Sequence, residues 1–138
     1  MKKYMLPLLL ILFPMTFFGQ AQKNNLEKLK NVWMLVKFEK FSKEQLVQNE
    51  AQIRINDSNS GSAQMGCNDL HFSFKIKNDK NIQFSDVIST KKMCMDIALE
   101  NAFCKKLKTF TKYKIEGHFL ILTNSKNEEM KFIEAAWD

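Results

Sequence analysis

Alternation of apolar and polar side chains runs through most of the chain after residue 50 and predicts a β-rich domain. Its strongest stretch sets Leu70, Phe72, Phe74 and Ile76 against His71, Ser73, Lys75 and Lys77, a half-buried strand with one wet face. Ahead of it, Asn24 to Lys30 reads as a short helical turn or lead-in. Val32 to Phe41 crowds aromatic and β-branched residues into a first strand. Ser42 to Asn49 is polar and reads as a connection. Ile53 and Ile55 alternate with Gln52 and Arg54, Asn56 to Gly61 is a turn cluster, and Ser62 to Met65 makes a third strand. Asn78 to Asn81 turns the chain back into a strand over Ile82 to Ile88.

The period then changes. Leu99, Phe103, Leu107 and Phe110 recur at spacings of four, four and three, which predicts an amphipathic helix from Asp96 to Phe110 with Asp96 as its N-cap. Lys105, Lys106 and Lys108 suit the negative end of its dipole. Leu99, Phe103 and Leu107 are expected against the inner face of the sheet, opposite Trp33 and Leu120 or Leu122. Period two returns at Tyr113 to Ile115, His118 to Thr123 and Glu129 to Ile133. The predicted fold class is α+β: a mostly antiparallel, strongly curved sheet or partial barrel with one packed helix.

The N-terminus breaks this pattern. Met1 to Tyr4 is basic, Met5 to Phe18 is apolar, and Gly19-Gln20-Ala21 ends the stretch on small residues, as in a secretory signal peptide cut after Ala21. The apolar run is too short to span a bilayer and has no cysteine near its end for a lipid anchor. The expected organisation is a signal peptide over residues 1–21 and one domain over 22–138, periplasmic or secreted, monomeric and without a transmembrane segment. Cleavage would remove Pro7 and Pro14, and the remaining Gly61, Gly66 and Gly117 leave little room for a Gly-rich phosphate loop.

Charge narrows the partners. The formal net charge is +6, but acidic residues are interspersed among the lysines, so Lys105, Lys106 and Lys108 read as a solvated helix face. With export, nucleic acid is excluded as a partner. Cys67, Cys94 and Cys104 would meet an oxidising compartment, where three thiols allow at most one internal pair. Across the predicted helix Cys94 and Cys104 lie roughly 15 Å apart, beyond disulfide reach, which leaves Cys67–Cys94 and Cys67–Cys104 open.

Candidate chemistry is sparse. Zinc held by Cys67, His71, Cys94 and Cys104 would need converging thiolates, and paired Cys-x-x-Cys elements are absent. A thiol nucleophile at Cys67 with His118 and Asp69 has no spacing that requires the three to meet. Glu128 and Glu129 are neighbours on a strand and point to opposite faces, so they make no acid–base pair. Asn68 and Asp69 after Gly66-Cys67 read as residues that bind nearby backbone and hold a bend. Met65, Met93 and Met95 are expected to fill core gaps, with an adaptable apolar surface as the alternative. No catalytic residue, metal or cofactor is assigned.

Three signatures stand in order: Trp33-Met34-Leu35 at the first strand, Gly66-Cys67-Asn68 after a strand, and Ser89-Thr90-Lys91-Lys92-Met93-Cys94 before a helix with Glu100, Phe103 and Leu107. Tyr113, Gly117, Leu120 and Leu122 complete the series. From about Leu29 to Phe132 the chain resembles the META domain, the HslJ-like family of small bacterial envelope proteins linked to heat shock and novobiocin resistance. It departs from the family at Ala63 and Phe72, where glycines are usual, and at Leu70, where an aromatic is common. The resemblance implies a small antiparallel β structure packed on a helix, similar to secretion pilotins and distantly to lipocalins, and no enzyme activity. Its motif residues are Trp33, Gly66, Cys67, Asn68, Thr90 and Cys94, and it implies a Cys67–Cys94 disulfide with Cys104 free.

The expected function is therefore an exported non-enzymatic domain for envelope stress tolerance or interaction with an envelope protein. The alternative is a module binding a small hydrophobic ligand or lipid in a barrel-like cavity. A filled core separates the first from the second, which needs an apolar cavity of roughly 300 Å³ or more. A thiol hydrolase would require Cys67 or Cys104 as a free thiol of low pKa near a histidine.

Overall fold

The computed structural model describes residues 18–137. The basic and apolar stretch before Phe18, which carries most of the predicted signal peptide, lies outside them. Helix α1 (Phe18–Leu29) leads into β1 (Val32–Phe38), α2 (Lys43–Gln48), β2 (Gln52–Ile55), β3 (Ser60–Gln64) and β4 (Asp69–Ile76). Then come β5 (Ile82–Phe84), β6 (Ile88–Ser89), α3 (Ala98–Lys106), β7 (Phe110–Glu116), β8 (Phe119–Asn124) and β9 (Glu129–Glu134).

Every pairing is antiparallel, in the order β5-β4-β3-β2-β1-β9-β8-β7, with β6 added to the start of β4. The result is mostly β: a nearly closed barrel with one seam. At that seam β5 meets β7 through an isolated bridge between Asn81 and Lys112, and the Tyr113 amide donates to the Lys80 carbonyl at 2.9 Å. Near-closure leaves few unpaired strand edges.

Alternation converts directly into burial. Along β4 each residue from Asp69 to Ile76 is in turn exposed and buried. Trp33, Phe38, Phe103, Phe110 and Phe132 are among the largest fully buried side chains. Leu99, Phe103 and Leu107 join Trp33, Leu120 and Leu122 in one apolar cluster, so α3 packs its stripe onto the sheet. The Trp33 indole N–H also donates to the Leu29 carbonyl at 2.8 Å, tying the end of α1 to β1.

Phe72 shows how a bulky residue is accommodated. It stands directly opposite Gly61 on β3. A Cβ at Gly61 would lie 2.5 Å from the Phe72 ring and 2.8 Å from the Arg54 carbonyl oxygen. The glycine makes the space that the ring occupies. Gly61→Ala is expected to destabilise the domain by about 1–3 kcal/mol through overpacking, read as a lower urea midpoint. Gly61→Ala combined with Phe72→Leu should recover part of that loss if the ring is the cause.

Several expected boundaries move. Ser42 to Asn49 is not a plain connection but contains α2, closed by a capping box in which the Gln45 amide donates to Ser42 Oγ and the Ser42 amide to Gln45 Oε1. The strand expected over Ile82 to Ile88 divides into β5 and β6. The predicted helix is shorter at both ends. Ile97 occupies the N-cap, although the Asp96 carboxylate still accepts from the Ala98 amide at 3.1 Å. A 3₁₀ turn at Leu107–Thr109 delivers Phe110 into β7. His118 lies in the turn between β7 and β8 rather than in a strand.

Candidate functional site

Gly66, Cys67 and Asn68 link β3 to β4, and what they build is a clamp. Gly66 has φ +110°, and a side chain there would collide with the Asn49 carboxamide that follows α2, so both conformation and volume call for glycine. The Sγ atoms of Cys67 and Cys94 stand at disulfide distance, with Cα atoms 6.0 Å apart. Such a link, spanning 27 residues, would contribute about 3–4 kcal/mol in the chain-entropy model.

Asn68 is buried and hydrogen-bonded through its backbone N–H and both ends of its carboxamide. Its backbone N–H donates to Glu100 Oε2 at 2.7 Å, and its Nδ2 donates to Glu100 Oε1 at 2.6 Å. Its Oδ1 accepts from the Thr90 hydroxyl at 2.9 Å and from the Lys92 amide at 2.6 Å. The Asp69 amide in turn donates to Thr90 Oγ1 at 3.1 Å. One side chain thus joins the β3–β4 link, the segment after β6 and the first turn of α3. The sequence reading placed the Asn68 bonds within the local bend; the partners instead come from distant segments.

Glu100 was not singled out for this role, although a signal existed. It lies three before Phe103 and seven before Leu107, on the apolar stripe, and a carboxylate on such a face requires a buried partner. It is only 4% exposed. Its position in the first turn of α3 also sets its charge against the positive end of the helix dipole.

The other residues weighed for chemistry do not assemble. Cys67 is paired with Cys94, whereas His118 contacts Glu134 at 3.3 Å and stacks on Trp137 with ring centroids 3.8 Å apart. Asp69 forms an exposed ion pair with Lys92 at 3.1 Å. His71 projects to the wet side of β4 while Cys67 is buried. Among the described residues no group of three or more His, Cys, Asp or Glu is placed to hold a metal ion. Glu128 and Glu129 take different partners, Lys106 and Lys37.

The methionines require a correction. Met65 is in the core, but Met93 and Met95 are fully exposed on either side of Cys94. Cys94 is itself exposed, as are all residues from 91 to 98, so its pairing with Cys67 holds this segment along the surface and leaves both methionine side chains in solvent.

Cys104 has a free thiol at the edge of the core. Desolvation by burial, and then the nearby Glu100 carboxylate, push its pKa up. The thiolate is the nucleophile, so raising the pKa makes the group less reactive at neutral pH. Iodoacetamide should modify Cys104 in the folded protein more slowly than it modifies glutathione at pH 8, with the rate still rising above pH 9. A rate at pH 7 equal to that of an activated thiol would contradict this placement.

At one end of the barrel a cleft of about 610 Å³ is floored by Phe38 and Phe110 and rimmed by Lys37, Lys106, Glu39 and Glu128. Lys106 bridges Glu39 and Glu128, and its pKa is raised chiefly by the hydrogen bond to Glu39. Glu128 is held below the usual carboxylate range first by the Asn124 amide and then by Lys106. The rim is a self-compensated set of charges around an apolar floor.

Comparison with known proteins places this architecture. An NMR structure of a protein from Burkholderia xenovorans is similar with a TM-score of 0.62 at 18% identity, over 82% of this chain and 88% of that one. A further NMR structure matches at 0.62 and 18%, over 80% and 94%. A crystal structure of a DUF4847 family protein from Bacteroides vulgatus matches at 0.55 and 11%, over 76% and 92%. At these identities the likeness is one of fold. No curated protein matches the sequence. A family model for the META domain matches residues 24–137, the span that holds the barrel, α3 and the clamp, and the chain therefore belongs to the META domain family.

Proposed function

We propose that this chain is an exported, non-catalytic META domain that serves envelope stress tolerance by contact with other envelope components. The observation that carries this reading is the use to which the signature residues are put. Asn68, Thr90, Glu100 and the Cys67–Cys94 pair spend their polar and thiol groups on one another, holding the fold together. Activity by contact then falls to the exterior, where Met93 and Met95 are presented in the segment that the clamp holds.

Two further features support it. The cysteine pair suits an oxidising compartment, in keeping with the signal-like N-terminus. Trp33, Phe38, Phe103, Phe110 and Phe132 occupy the interior where a carrier would need apolar space. The end cleft is ringed by lysine and glutamate, a poor match for a lipid chain.

Native mass spectrometry of the protein taken from the envelope of its source tests the reading. The expected species begins at Gln22, carries one disulfide and holds no lipid. A lipid or metal bound in one-to-one ratio, or a chain retaining Met1, would overturn it.

A further inference from the structure

The outer face of β2, β3 and β4 lies apart from the end cleft and borders the clamp at Asp69 and Thr90, and it carries Arg54, the only arginine in a chain rich in lysine. Strand register pairs Arg54 with Ser62 and Ser62 with His71. The adjacent outward row pairs Gln52 with Gln64 and Gln64 with Asp69. Directly paired residues share a face, so each row presents its side chains together. In the first row a short hydroxyl on the middle strand stands between two long side chains. That difference in length hollows a trough of about 370 Å³, bounded at one edge by Thr90.

The trough has uncommitted donors. Among the described residues no hydrogen bond or ion pair engages the Arg54 guanidinium or the His71 ring. The one carboxylate in the lining, Asp69, is already paired with Lys92. Arginine differs from the surrounding lysines in kind: its planar fork offers two parallel N–H groups matched to a carboxylate, whereas an ammonium is a point charge.

We propose that this trough binds a carboxylate carried on a small hydroxyl- or amide-bearing molecule. Arg54 takes the carboxylate in a forked pair of hydrogen bonds, and Ser62 and His71 add donors beside it. The carboxamides of Gln52 and Gln64, each both donor and acceptor, meet the neighbouring hydroxyl or amide groups of the ligand. The proposal does not rest on the non-catalytic reading above, and failure of either leaves the other standing.

An acidic sugar and a peptide carboxylate share this chemistry, and a titration of the isotope-labelled protein followed by NMR separates them. The probes are D-glucuronate, N-acetyl-L-alanine and uncharged D-glucose. One or both carboxylates should shift the amide signals of residues 52–54, 62–64 and 69–71 saturably, and glucose should not. A tighter response to glucuronate assigns an acidic sugar, and a tighter response to N-acetyl-L-alanine assigns a peptide terminus. Arg54→Lys should weaken binding about tenfold and Arg54→Gln more, with signals elsewhere unmoved, because the fork is lost and the fold is not. No saturable shift at about 20 mM of either carboxylate, well above a millimolar Kd, would overturn the proposal. So would glucose binding as tightly, or undiminished binding by Arg54→Gln.

Discussion

Replacing Glu100 with alanine is expected to lower the unfolding free energy by about 3–5 kcal/mol. The side chain is buried and its two oxygens each accept one N–H from Asn68. Removing it strands both donors away from water, and each stranded donor costs about 1–3 kcal/mol in addition to the volume lost. Asn68→Ala should cost a similar amount for the opposite reason, leaving a buried carboxylate short of a donor and the Lys92 amide without its acceptor. Glu100→Gln keeps the shape but turns one acceptor into a donor facing a donor, so it should fall between wild type and alanine. Because the two residues act on one another, Asn68→Ala with Glu100→Ala should cost less than the two single losses added. Urea unfolding of the four proteins measures this. Strict additivity, or an unchanged midpoint for Glu100→Ala, would contradict the clamp.

Phe103→Ala is expected to cost about 3–5 kcal/mol by leaving a cavity where α3 meets the sheet. Phe103 has no exposed surface and belongs to the same cluster as Trp33, Leu120 and Leu122. A domain of this size holds about 5–15 kcal/mol in total, so the variant should be marginal at room temperature. Phe103→Leu, which refills part of the space, should cost clearly less. Thermal unfolding followed by circular dichroism distinguishes the two variants. Equal melting temperatures for Phe103→Ala and wild type would mean that α3 does not pack as described. Glu100 and Phe103 are three apart on one helix face, so loss of either should also loosen the other's contacts.

The residues that alternate or recur in the sequence behave as their spacing requires. The period of two from Leu70 to Ile76 became β4 with each apolar side chain inside, and the stripe of Leu99, Phe103 and Leu107 became the buried face of α3. Both follow from backbone geometry alone, because a strand turns over every residue and a helix every 3.6. Errors cluster where local preference is weak. α2 has six residues, too few for a helical stripe, and its Ser42–Gln45 capping box was the sole local sign of it. Residue type alone places Met93 and Met95 in core gaps, whereas they lie in a wholly exposed stretch, residues 91–98, that the Cys67–Cys94 pair holds on the surface.

Which strands neighbour which was beyond the reach of periodicity. β1, early in the domain's sequence, lies between β2 and the last strand, β9, and the barrel closes where β5 meets β7. Those pairings bring Asn68 to Glu100, 32 residues away, and line up Arg54, Ser62 and His71 across three strands. By itself the sequence determined the alternation, the helix stripe, the apolar set for the core and the motif residues that carry the family resemblance. Tertiary structure decided the partners: that Asn68 clamps three segments, that Glu100 is its acceptor, and that the single arginine shares a face with a serine and a histidine. Periodicity records which side of an element is dry, whereas a hydrogen bond or a binding trough depends on strand order and register, and these are set only when the whole core closes.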